Sequence, residues 1–88
     1  MTIYKLAAID IGSNAIRLLI CNVIEKDKFT KTFFSKNSLV RVPIRLGEDT
    51  FGSGSISKKN ILRLVKAIKS FKYIMEINEV DDYIACAT

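Results

Sequence analysis

The sequence has no histidine and no tryptophan, and only one proline and two cysteines in 88 residues. Without histidine and without a close cysteine pair, a zinc site has no ligand set to draw on. Cys21 and Cys86 lie far apart, each in an apolar, strand-like run. A small disulfide scaffold would need more cysteines and more loop, so buried, reduced thiols are expected. No stretch approaches the roughly 20 apolar residues of a membrane span. The opening Met1–Lys5 lacks a signal-peptide layout, and a cytoplasmic location is expected. Acidic residues are scarce too: 9 against 14 Lys+Arg, a net charge of +5, with none between Asp49 and Glu76. That balance suits anionic partners.

Hydrophobic residues make up 49% of the chain, which excludes a disordered tail or linker. The length allows one domain at most, burying roughly 60–65% of its unfolded surface.

Leu6 to Ile11 (LAAIDI) is a short, nearly continuous apolar run, which predicts a strand buried on both faces. Gly12-Ser13-Asn14 has turn chemistry, and Ala15 to Ile24 is a second β-branched run, so the pair predicts a hairpin. Charged Glu25–Lys28 predicts a second turn. A third, more polar segment from about Phe29 to Leu46, with Pro43 near its end, predicts an edge strand or a bulged one. Gly52–Ser55 predicts a loop. Ile61, Leu62, Val65, Ile68, Phe71, Ile74 and Met75 then recur at helical spacing, with Ser57 as N-cap and Asn78 as stop. Tyr83 to Ala87 predicts a last strand. The order β-β-β-α-β lets the last strand run parallel to the first. One helix cannot cover both faces of such a sheet, so the chain is expected to be a piece of a larger domain.

The sharpest chemical feature is Asp10-Ile11-Gly12-Ser13-Asn14. A carboxylate at the end of a buried strand is costly unless paired, hydrogen-bonded or near a metal. Gly12 lets a ligand approach the backbone, and the N–H groups of residues 12 to 14 could cradle phosphate oxygens. On spacing alone the motif also fits a hairpin turn with an incidental Asp. It is neither a Walker loop nor a dinucleotide fingerprint. Arg17, inside an apolar strand, could make forked bonds to phosphate or simply snorkel from an exposed face. Arg45-Leu46-Gly47-Glu48-Asp49 could set a cation beside a polyanion and Glu48 beside a metal, or be a solvated loop. Lys58, Lys59, Arg63, Lys66, Lys69 and Lys72 form either a polyanion-attracting strip or a solvated helix face.

AAIDIGSNAIRLLI, then RLGEDTFGSGSIS, a long helix and YIACAT together resemble the N-terminal stretch of the exopolyphosphatase/guanosine pentaphosphate phosphohydrolase (Ppx/GppA) family, in order and over nearly all 88 residues. The resemblance implies the opening β-β-β-α-β of an α/β domain with a mixed sheet, of the actin-like/Hsp70/sugar-kinase (ribonuclease H-like) kind. It implies that residues 1–88 are a partial N-terminal domain. Asp10, Gly12, Ser13 and Asn14 match the family's first phosphate loop, Arg17 its phosphate-contacting arginine, and Arg45 to Glu48 a loop bordering the cleft. It further implies hydrolysis of polyphosphate or guanosine pentaphosphate with Mg²⁺, for which Asp10 and Glu48 are the candidate ligands in this chain, and a homodimeric parent is expected. A membrane partner is not expected, nor nucleic acid. The helix start departs from the family, with Lys58-Lys59 where acidic residues are common. The second phosphate loop and the water-activating glutamate would lie beyond residue 88, so this piece alone is expected to be inactive and prone to self-association. A kinase or ATPase of the same superfold, or a non-catalytic polyanion-binding module, are the alternatives.

Overall fold

The computed structural model describes residues 2–25 and 32–87. Strands β1 (Thr2–Ile11), β2 (Ile16–Glu25) and β3 (Thr32–Val42) precede helices α1 (Leu46–Gly52) and α2 (Lys58–Ile77), and β4 (Asp82–Ala87) closes the chain. The four strands form one mixed sheet in the order β3-β2-β1-β4. β1 pairs antiparallel with β2, β2 antiparallel with β3, and β4 lies parallel to β1, as the crossover through α2 predicts. β3 sits at an edge and is bulged. Ile20 faces Ser38 while Cys21 faces Lys36, which leaves residue 37 without a partner. The turn expected over Glu25–Lys28 and the start of the third segment at Phe29 fall largely outside the described residues.

The core is built by alternation. Ala7 and Ile9 of β1 and Ile16, Leu18 and Ile20 of β2 share one face of the sheet and meet Ala67, Phe71 and Met75 of α2. Phe71, Ile16, Leu18, Ile20 and Ile44 are fully enclosed. The helix packs by a narrower stripe than its apolar spacing suggests. Ile61, Leu62, Val65 and Ile68 are exposed, whereas Ala67, outside the expected set, is buried. The apolar residues of α2 span two neighbouring arcs, and the sheet meets one of them.

Both ends of α2 are closed locally. Ser57 Oγ accepts the Asn60 N–H at 3.2 Å. At the other end Asn78 stays right-handed, and Glu79 takes the left-handed turn with φ 56°. The Val80 N–H donates to the Met75 carbonyl and the Glu79 N–H to the Glu76 carbonyl. This is a Schellman closure with glutamate where glycine is usual.

Two expectations need correction. The third extended segment ends at Val42, not Leu46, and the stretch read as a charged loop is α1, so the order is β-β-β-α-α-β. Ile44 and Leu46 turn inward and are buried, which ends the strand and seats the new helix. Both cysteines are free, but Cys21 is half-buried and Cys86 exposed, because β4 is exposed along its whole length. On the sheet face away from α2, Leu39 and Ile84 stand 49% and 62% exposed. No helix among the described residues is long and apolar enough to cross a membrane.

Candidate functional site at the hairpin tip

The β1–β2 register runs to Ile11↔Ile16, so residues 12 to 15 form the bend. The Gly12 N–H donates to the Ala15 carbonyl at 3.0 Å, and Ala15 is buried beneath the turn. The Gly12 N–H is therefore taken by the bend. The N–H groups of Ser13 and Asn14, both exposed, have no hydrogen-bond partner among the described residues. Among the described residues only Gly54 and Glu79 have positive φ. At position 12, then, the use of glycine is the missing side chain rather than an unusual dihedral.

Helix α1 is docked onto this bend. The Gly47 N–H donates to the Ser13 carbonyl at 2.9 Å. A Cβ at position 47 would lie 3.0 Å from Ser13 Cβ and 3.4 Å from Ser13 O, so the approach depends on glycine. The other end of α1 is tied to α2. Asp49 Oδ2 accepts the Ser57 N–H and an Asn60 Nδ2–H, each at 2.9 Å. Those two bonds, the backbone one foremost, hold the Asp49 carboxyl below the usual carboxylate range. Arg63 Nη2 donates to the Pro43 carbonyl at 3.0 Å and fixes the start of α2 to the end of β3.

One row of residues crosses the sheet just behind the tip. Arg41 is opposite Arg17, Arg17 opposite Asp10, and Asp10 opposite Cys86. Directly opposed residues share a face, so these four stand side by side on the face α2 leaves open. Asp10 is half-buried; Arg17 and Arg41 are exposed. Among the described residues the only ion pair is Arg45–Glu48, at 2.9 Å and largely solvent-exposed. Asp10 and Arg17 thus adjoin without neutralising each other.

Of the residues singled out in the sequence, Asp10, Gly12, Ser13, Asn14 and Arg17 come together on one hairpin. Arg45 is the N-cap residue of α1 and Glu48 lies in its first turn, beside Gly47, and the two bind each other. No group of three Asp, Glu or Cys side chains that could enclose a metal occurs among the described residues. A single half-buried carboxylate beside a bend with unengaged N–H groups is compatible with magnesium, which commonly takes one or two protein carboxylates and completes its shell with phosphate oxygens and water. Sequence reasoning missed the docking role of Gly47 and the place of Arg41 beside Arg17. The first depends on a helix too short to show a period. The second depends on strand register.

A hairpin tipped with Asp-x-Gly-Ser-Asn, an edge strand, a crossover helix and a parallel strand beside the first make the N-terminal part of an actin-like α/β domain. Solved structures of Ppx/GppA proteins match it, as the sequence resemblance implied. A Ppx/GppA family member from Aquifex aeolicus superposes with a TM-score of 0.85 at 23% identity, over 98% of this chain and 26% of its own. An exopolyphosphatase from Cytophaga hutchinsonii gives 0.78 at 22% identity, over 94% of this chain and 25% of its own. Among curated proteins, a bifunctional 3-dehydroquinate synthase/phosphatase from Fusobacterium nucleatum is 33% identical over 76 residues. That match covers 86% of this chain and 11% of the relative. The chain thus spans about a quarter of the solved structures and about a tenth of the curated relative. No protein-family model matches it.

Proposed function

We propose that this chain supplies the first phosphate-gripping loop of a Ppx/GppA-type phosphoanhydride hydrolase, acting on polyphosphate or guanosine pentaphosphate. The observation that carries the reading is the hairpin tip. A half-buried carboxylate, an exposed arginine and two unengaged backbone N–H groups meet there, at the end of the sheet that matches the Ppx/GppA structures.

In this reading the N–H groups of Ser13 and Asn14 hold the oxygens of a terminal phosphoryl group. Arg17 offsets the charge that builds on those oxygens. Asp10 would hold Mg²⁺, whose chemistry there is Lewis-acid neutralisation of the phosphate. Glu48, already paired with Arg45, is a weaker candidate ligand than Asp10. Arg45 becomes available to a polyanion only when that exposed pair opens, which costs little. The base that activates water belongs to polypeptide outside these 88 residues. The same outside polypeptide would cover the exposed β4 and the open sheet face behind the Asp10–Arg17–Arg41 row, making this chain a partial domain of a cytoplasmic, homodimeric parent.

The test is product analysis on the full-length parent with long-chain polyphosphate, guanosine pentaphosphate, and ATP with sugars. Free orthophosphate from the first two, lowered about 100-fold or more by Asp10→Asn and by Arg17→Gln, supports the reading. Phosphorylated sugar or ADP as product would place the parent among the kinases or ATPases of the superfold. RNA retention abolished by Lys66, Lys69 and Lys72→Glu, with Asp10→Asn silent, would make it a polyanion-binding module.

A further inference from the structure

Arg41 has no motif around it, and its significance comes from pairing alone. The register of β3 sets it directly opposite Arg17. Side chains so placed share a face with Cβ atoms about 4.5–5.5 Å apart, and like charges there repel. A sheet ordinarily relieves such a pair with a neighbouring carboxylate. Glu48 and Asp49 are engaged elsewhere. Glu48 takes Arg45, and Asp49 takes Ser57 and Asn60. Asp10 flanks Arg17 on its far side and forms no ion pair with it. β3 is an edge strand, so no described strand lies beyond Arg41 to supply a counter-charge. The backbone ladder therefore holds two exposed guanidinium groups side by side at the end of the sheet that carries the hairpin tip.

An external anion resolves that repulsion. A guanidinium forms a planar fork of donors matched to phosphate and stays charged at any working pH. Arg17 can by itself serve a phosphoryl group at the tip. A second fork one strand away suits the adjoining phosphoryl group of the same chain.

We propose that Arg41 is a second phosphate-binding arginine. It takes the phosphoryl group next to the one held by Arg17 and so favours condensed phosphates over orthophosphate. This rests on the tip being a phosphate site, and the experiment separates the two claims. Inorganic tripolyphosphate and orthophosphate are titrated calorimetrically into the full-length parent, kept free of divalent metal to prevent turnover, with circular dichroism confirming the fold of each variant. Arg41→Gln is expected to weaken tripolyphosphate about tenfold while leaving orthophosphate within about twofold, whereas Arg17→Gln weakens both. Arg41→Lys, which keeps the charge and loses the fork, should fall between wild type and Arg41→Gln. If Arg41→Gln disturbs the fold, Arg41→Lys is read in its place, with a loss of about threefold or more expected for tripolyphosphate alone. Unchanged tripolyphosphate affinity in the folded Arg41 variant, with Arg17→Gln still weakening both anions, overturns the role of Arg41 and leaves the tip intact. Failure of the wild-type parent to bind either anion overturns the tip, and Arg41 with it.

Discussion

Replacing Gly47 by alanine tests how the hairpin tip is held. In an exposed helix the change is favourable, by about 1 kcal/mol from propensity, and it also restricts the unfolded chain. At Gly47 the new methyl would meet Ser13 Cβ at 3.0 Å and Ser13 O at 3.4 Å. Carbon atoms rest at about 3.5–4.0 Å, so either Ser13 or α1 must retreat by at least half an ångström. Overpacking of that kind costs about 1–3 kcal/mol, and stretching the Gly47–Ser13 bond about 1 more. We expect a net loss of about 1–2 kcal/mol in urea unfolding. Gly52→Ala provides the internal control. It lies in the same helix with nothing within 4 Å of its new methyl, and should be neutral or stabilising. Ser13→Gly removes the atom that clashes. The Ser13→Gly/Gly47→Ala double variant should therefore recover about 1 kcal/mol over additivity. If Gly47→Ala is as benign as Gly52→Ala and the cycle is additive, α1 does not brace the turn.

Asp49 should give stability an acid-side dependence. Its folded pKa lies below the unfolded value, so its contribution is complete above about pH 4 and disappears as pH falls through the folded pKa. Asp49→Asn should flatten that limb of the stability–pH curve, measured by urea midpoints between pH 2 and 6. Glu79→Gly removes a side chain from the left-handed position that ends α2, and should stabilise the chain by about 1 kcal/mol in the same assay.

The hairpin was legible because its apolar runs flank a Gly-Ser-Asn bend; β1 then extends four residues further back, pairing Thr2 with Glu25 and Tyr4 with Val23. The last strand's direction followed from the helix before it. Helix α1 was hidden. Its seven residues, LGEDTFG, show no period and include weak helix formers, and it exists because Leu46 is buried and Gly47 fits against Ser13. The buried stripe of α2 was blurred because the helix is apolar on two arcs. Sequence hydrophobicity does not say which arc the sheet will meet, so Ile61 and Val65 were expected inside and Ala67 was overlooked. For the site, Asp10 and Arg17 could be found from their neighbours in the chain. Arg41 could not, since its relation to Arg17 arises only when residue 37 is skipped in the ladder.

Helix α1 is fastened at both ends, to Ser13 through Gly47 and to Ser57 and Asn60 through Asp49. It therefore works as a short strut between the bend and the head of the long helix. A tilt of α2 cannot stay confined to α2, because the strut carries part of it to the two free N–H groups. Whatever comes to rest on the exposed arc of that helix would have a mechanical route, through the strut, to the bend at its other end.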